Sequence, residues 1–386
     1  MISNDRYVEL HCHSNYSFQE GASFIHELIG RAKELDYTAL ALTDHDNMCG
    51  SMEFAKTARS LGIQAIIGAE VTLTGGYHVT LLSETREGYG NLCKLLSYAH
   101  VTSDRRNPEL NRSFLSDNTK GLILLSGCSN GEMQQHIRNG DMAFAEEIAV
   151  QYIEWFGKEN FYLELQQNLV YGDTLRIRNL VHLAEQSTVE IVATNNAHYH
   201  TRERHQLHDC LVSIKNRKSL EKSHVERRAN SEFYLKSQQE MSELFKKYPK
   251  ALENTSIIAN RCSSFDLTRN LNYSLPSSKV PNGYTQDEYL RHLCDEAAIR
   301  RYGDNNTNVK ARLDEEFRLI KKHNLDIGII LGARILSKQI IDAFSIGIVN
   351  LHPGILPENR GLDNVKWSII NSYNRKNWCP RKQISS

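Results

Sequence analysis

The chain opens with a short apolar run, Tyr7-Val-Glu-Leu10, that ends in His11-Cys-His13. Extended backbone puts residues i and i+2 on one side of a strand, so two imidazoles at this spacing can hold one metal ion together. A second run, Ala39-Leu-Ala-Leu-Thr43, ends the same way, in Asp44-His45-Asp46. One polar strand end is ordinary. A succession of them constrains the fold, because a β/α barrel brings the C-terminal ends of its strands to one face.

The rest of the first 200 residues continues the pattern. Strands are expected at Val8–Leu10, Ala39–Thr43, Ala65–Gly68, Val79–Leu82, Leu122–Ser126, Tyr162–Leu165 and Glu190–Thr194. Helical spacing lies between them, as in Phe24 to Asp36, where Ile25, Leu28, Ile29, Ala32 and Leu35 recur every three or four residues. Ser51 to Leu61 and Arg86 to His100 read likewise. Such alternation predicts an α/β fold with parallel strands, as a barrel or an open sheet. At the strand ends stand His11 and His13, His45, Glu70, Cys128, and Asn195-Asn196-Ala-His198, while His78 precedes Val79. Imidazole, carboxylate and thiolate together are the usual ligands of zinc and related ions. Any one of these residues alone would more often be structural; their joint placement points to a metal site.

Composition sets bounds on this reading. The 386 residues are 40% hydrophobic and 24% charged, with formal net charge zero, which is ordinary for a water-soluble globular chain. That balance argues against a chain that is basic throughout. Lys215-Asn-Arg217-Lys218 and Glu226-Arg227-Arg228 form a local basic cluster, read here as a solvated face. No apolar run has the length of a membrane span and no apolar leader opens the chain, so a cytoplasmic location and no membrane partner are expected. The scattered cysteines show no disulfide framework.

The motifs also resemble a known family. His11-x-His13, Thr43-Asp44-His45, Gly68-Ala-Glu70, His78, Ser126-Gly-Cys128 and Ala193-Thr-Asn-Asn-Ala-His198 are similar to the successive motifs of the PHP (polymerase and histidinol phosphatase) superfamily. Gly88-Tyr-Gly-Asn-Leu-Cys-Lys-Leu-Leu96, Gly121-Leu-Ile-Leu-Leu-Ser-Gly-Cys128, Asn230-Ser-Glu-Phe-Tyr-Leu-Lys236, Asn254-Thr-Ser-Ile-Ile-Ala-Asn-Arg-Cys262 and Tyr289-Leu-Arg-His-Leu-Cys294 resemble the N-terminal region of the bacterial DNA polymerase III alpha subunits. Tyr7-Val-Glu-Leu and Gly68-Ala-Glu-Val-Thr-Leu73 look most like their error-prone branch. The resemblance runs over roughly residues 5 to 323.

It implies a distorted β/α barrel holding up to three ions, zinc or manganese. The implied ligands are His11, His13, Glu20, His45, Glu70, His78, Cys128, Asn196 and His198. Glu20 and Asn196 stand where the family usually has aspartate, and the neutral amide of Asn196 is expected to hold its ion weakly. The implied activity is metal-assisted phosphoester hydrolysis of the 3′–5′ exonuclease kind in DNA replication and repair, with His45 or His78 handling protons. The implied partners are DNA, as 3′ ends or single strands, and other replication or repair polymerase subunits. The alternative is a non-catalytic, structural PHP module.

The polymerase resemblance stops near His323, before a catalytic palm. The stretch Gly347-Ile-Val-Asn350-Leu-His352-Pro-Gly is instead similar to formyltransferases, whose Asn-x-His pair polarises the formyl group. The expected organisation is a PHP barrel with a helical extension at 5–265, a linker and the start of a truncated polymerase module at 266–324, a formyltransferase-like fragment at 325–373 and an unmatched tail at 374–386. Formyl transfer is the least expected activity, because the catalytic aspartate of that family has no counterpart here.

Overall fold

The structure is a computed structural model and describes residues 6–104, 107–271, 280–304, 306–323, 328–331 and 348–351. The chain divides into two compact units, Met1–Asn272 and Tyr273–Ser386.

The first unit is built on one six-stranded sheet in sequence order: β1 (Ala39–Leu42), β2 (Gln64–Leu73), β3 (Tyr77–Ser83), β4 (Leu122–Leu125), β5 (Phe161–Gln166) and β6 (Glu190–Thr194). Pairs β1–β2, β4–β5 and β5–β6 are parallel. β3 runs antiparallel to both neighbours, which corrects the expectation of parallel strands throughout. The cause is the short Thr74-Gly75-Gly76 connection, in which both glycines take positive φ. It is too short for a crossover helix and forces a hairpin. Both edges of the sheet meet on the same N-terminal segment. Glu9 bridges Leu40 of β1, and Cys12 bridges Ala197 just beyond β6. The predicted strand Val8–Leu10 is therefore reduced to one isolated bridge at Glu9, which with the bridge at Cys12 draws the curled sheet round on itself.

Around the sheet lie α1 (Ile25–Glu34), α2 (Ser51–Ser60), α3 (Arg86–Thr102), α4 (Arg112–Ser116), α5 (Glu132–Arg138), α6 (Met142–Phe156) and α7 (Asp173–Ser187), followed by α8 (His205–Lys215), α9 (Gln238–Leu244) and α10 (Pro249–Arg261). Strand alternation sorts the core into two layers. Leu40, Leu42, Leu122 and Leu124 pack outward with the helices, whereas Ala39, Ala41, Ile123 and Leu125 point inward with Val8, Leu10, Ile66, Leu82, Tyr162 and Val192. Both strand faces are buried, so the strands read as continuous apolar runs. Ile258 and Ala259 of α10, and Cys262 just after it, join the inner layer. Hydrogen bonds from Val8 to Thr255 (3.0 Å) and from Gln64 to the Ala259 carbonyl (2.7 Å) fix α10 at the N-terminal end of the strands.

In the second unit, α11 (Gln286–Tyr302) starts with a capping box between Thr285 and Glu288, and α12 (Thr307–His323) follows. Strands β7 (Gly328–Leu331) and β8 (Ile348–Leu351) pair in parallel, with Asn350 opposite Ile330. The formyltransferase-like fragment is thus described only at these two strands, and His352 lies outside the described residues.

Candidate metal centre

Moving up the strands from α10, the inward positions change from apolar to polar. Ile66 gives way to Glu70 on β2, Tyr162 to Glu164 and Gln166 on β5, and Val192 to Thr194 on β6. On β3 the order runs backwards, from Leu82 through Thr80 to His78, because that strand is reversed. The reversal explains how a histidine at the start of a strand joins residues at the ends of others. Glu70 sits within β2 rather than after it, opposite Thr80 and bridged to His45.

These positions converge on the Glu70 carboxylate. His11 Nε2 lies 3.4 Å and His78 Nδ1 3.2 Å from its Oε1; His13 Nε2 lies 3.5 Å and His45 Nε2 3.8 Å from its Oε2. Among the described residues, two groups have the compactness of metal sites, His11 with His13 and Glu70, and His45 with Glu70 and His78. Glu70 belongs to both, so it would help to hold an ion in either group. The fit is tested by what these atoms otherwise lack. His11 Nε2, His13 Nε2 and Glu70 Oε1 are buried without a hydrogen-bond partner. Such atoms are costly to bury unless something else binds them, and a divalent cation suits that donor set.

The other ring nitrogens are held from behind. Glu164 accepts from His11 Nδ1 at 2.7 Å, and Asp46 from His45 Nδ1 at 2.7 Å. Ser17 lies 3.0 Å from His13 Nδ1, and its hydroxyl donates to Asp44 at 2.7 Å. Fixing one nitrogen aims the other at the ion and raises its basicity. Glu164, Asp46 and Asp44 were not singled out as site residues from sequence. The signal available for Glu164 was a lone carboxylate in the apolar run Phe161-Tyr-Leu-Glu-Leu.

Burial opposes charge on His11, His13, Glu70 and His78. For His13 it prevails and lowers the pKa to about 3. For His78 it is outweighed by Glu70 and Cys128, which raise the value to about 11. Burial is likewise outweighed at His11, which Glu164 and Glu70 push well above the ordinary imidazole value. Glu70, against its burial, is held well below the carboxylate range by His78 and His11.

The remaining expected residues lie at the same mouth. Cys128 Sγ is 3.5 Å from His78 Nδ1. The ring of His198 lies 4.4 Å from that of His13, and Asn196 is buried at positive φ with Oδ1 unpartnered. Glu20 is paired with Lys215. A cavity of about 510 Å³ is lined by Glu20, His45, Glu70, His78, Cys128 and His198, and also by Lys215, Arg227 and Arg228. The basic cluster read as a solvated face therefore contributes three cations to the cavity wall. Arg228 Nη2 lies 2.7 Å from His198 Nε2, and Arg227 pairs with Asp209 at 2.7 Å. His208, buried near His198 with rings 5.5 Å apart, is a further residue that its sequence context did not reveal.

Comparison with known proteins accords with this geometry. Residues 9–168 match the PHP domain family, and residues 253–376 match the formyl transferase family. The second match begins inside α10, which belongs structurally to the first unit. An error-prone DNA polymerase from Symbiobacterium thermophilum is 39% identical over 333 residues, covering 82% of this chain and 30% of the relative. A DNA polymerase III subunit alpha from Treponema pallidum is 34% identical over 329 residues, covering 81% of this chain and 28% of the relative. The chain thus spans less than a third of the length of these relatives. The solved structure of an amidohydrolase from Chromobacterium violaceum, 16% identical, covers 50% of this chain and 88% of its own, with a TM-score of 0.35. The chain carries a PHP domain in residues 9–168 and is related, over about four fifths of its length, to the DNA polymerase III alpha and error-prone DNA polymerases.

Proposed function

We propose that the first unit is a metal-dependent phosphoester hydrolase acting on DNA 3′ ends, a 3′–5′ exonuclease-like activity belonging to replication and repair in the cytoplasm. The observation that carries it is Glu70 shared by two histidine pairs, with His11 Nε2, His13 Nε2 and Glu70 Oε1 buried without a hydrogen-bond partner. His11, His13 and Glu70 would hold one ion, and His45, Glu70 and His78 the second, with Cys128 beside it. Zinc or manganese fits the mixed nitrogen and oxygen set. Bound there, the ions would supply an activated water and positive charge for the phosphate.

The chain's own groups supply the rest. Lys215, Arg227 and Arg228 line the cavity and favour a phosphodiester over a neutral substrate. His45 is oriented by Asp46 and has a side chain 20% exposed, which suits it to pass a proton between the centre and solvent. His78, exposed to 16%, is the second proton carrier. Buried Thr80 and Gln166 lie 3.1 and 3.4 Å from His11 Nδ1 and complete the shell behind the ligands.

The test is digestion of a single strand labelled at either end, with zinc or manganese added. Stepwise loss of 3′ nucleotides that Glu70→Gln reduces at least a hundredfold is expected. A purified protein that binds metal but leaves both ends intact would favour the structural module instead.

A further inference from the structure

Two clusters around Glu70 use His11, His13, His45 and His78. Glu20, Asn196 and His198 would be left to build a third ion position; Glu20 and His198 are otherwise engaged, and only the neutral Oδ1 of Asn196 is unpartnered. His198 Nδ1 lies 2.9 Å from the Asn196 carbonyl, which can only accept, so this nitrogen carries the proton. The sole lone pair of the ring is then at Nε2, and Arg228 donates into it at 2.7 Å. The guanidinium is held in place by the Phe233 ring, whose centroid lies 4.4 Å from Cζ. Glu20 is paired with Lys215. Asn196 brings no charge. The position therefore already holds two cations against one carboxylate, and arginine keeps its charge at any ordinary pH.

We propose that Arg228 stands where a third ion would sit, and that the protein binds two metal ions per chain with a fixed guanidinium completing the positive wall of the cavity. His198 then positions Arg228 and ligates nothing. This rests on the two-ion reading above. The guanidinium differs from an ion in a way that matters to a phosphate. It cannot be lost to dilution or a chelator, and it offers a planar fork of N–H donors.

Three proteins are loaded with manganese or zinc, desalted and measured for metal per chain, with circular dichroism as the check on folding. The full-length wild type is expected to retain two ions. His198→Ala is expected to retain the same two. Combined Arg228→Gln and Asn196→Asp, which removes the cation and restores a carboxylate, is expected to retain three. Three ions in the wild type, or loss of one in His198→Ala, would overturn the assignment of Arg228 while leaving a metal centre in place. A folded double variant that stays at two would overturn it as well. Fewer than two ions in the wild type would defeat the two-ion reading itself.

Discussion

At the scale of single residues, the candidate centre leans on carboxylates set behind its histidines. Glu164 fixes His11 from behind and also accepts from Gly127 N at 3.1 Å and from Thr194 Oγ1. Glu164→Gln should weaken metal binding by about 10- to 100-fold, the usual effect of losing such a support; competition with a chelator of known affinity measures it. Glu9 behaves differently. Burial raises its pKa from the ordinary 4.5 to about 7, although Tyr7, His11 and Asn195 all donate to it. Between these values the folded chain holds a proton that the unfolded chain has released, so stability contributed by Glu9 falls as pH rises. The loss reaches about 3 kcal/mol above pH 7. Glu9→Gln keeps the acceptor and removes the titration. The metal-free variant should gain up to about 3 kcal/mol on the wild type between pH 4.5 and 8 in urea melts. A constant difference across that range would show that Glu9 ionises freely. The histidines were legible in the sequence because imidazoles at strand ends have few structural reasons to recur. Glu164 was not, since one carboxylate in an apolar strand looks like ordinary outward alternation. Nor was Arg228, since a run of charges looks the same whether it faces solvent or a cavity.

Among the elements, β3 decides how the centre closes. A period of two predicts a strand but carries no direction, so the reversal could be inferred only from the short glycine connection before it. Reversal sets His78 at the mouth and leaves β4 to arrive antiparallel beside it. The turn after β4 then packs on the start of β3 through Gly127, which has φ +89°; a Cβ there would sit 2.3 Å from the His78 carbonyl oxygen. Gly127→Ala combines left-handed strain with this collision. It should cost about 2 to 4 kcal/mol and weaken metal binding, because His78 and Cys128 are displaced together. Thermal unfolding with and without metal separates the two effects. An unchanged midpoint would mean that the turn yields at no cost. The helices were more legible than the strands. The α1 periodicity from Phe24 to Asp36 was recovered as Ile25–Glu34, because a stripe at 3.6 spacing admits one structure only.

For the whole molecule, the buried apolar clusters of the first unit draw on residues up to Leu271. A chain ending at Asn272 should therefore fold cooperatively and bind as many ions as the full chain, as circular dichroism and metal analysis would report. Loss of either would tie the centre to the second unit. No formyl transfer is expected from the full chain. Transfer abolished by His352→Ala would make it an enzyme of two activities. The C-terminal organisation was only partly legible, because a motif such as Asn350-x-His352 marks ancestry without stating whether a domain closes around it. The bridging of both sheet edges by one N-terminal segment has a consequence for biosynthesis. Glu9 receives the backbone of Asn195, 186 residues on, and Val8 is anchored to Thr255, 247 residues on. Residues 8–13 are thus synthesised well before the partners that hold them, and a nascent chain must carry His11 and His13 without those supports while most of the unit is made. The N-terminal histidine pair can reach its final geometry only after α10 has emerged to anchor Val8.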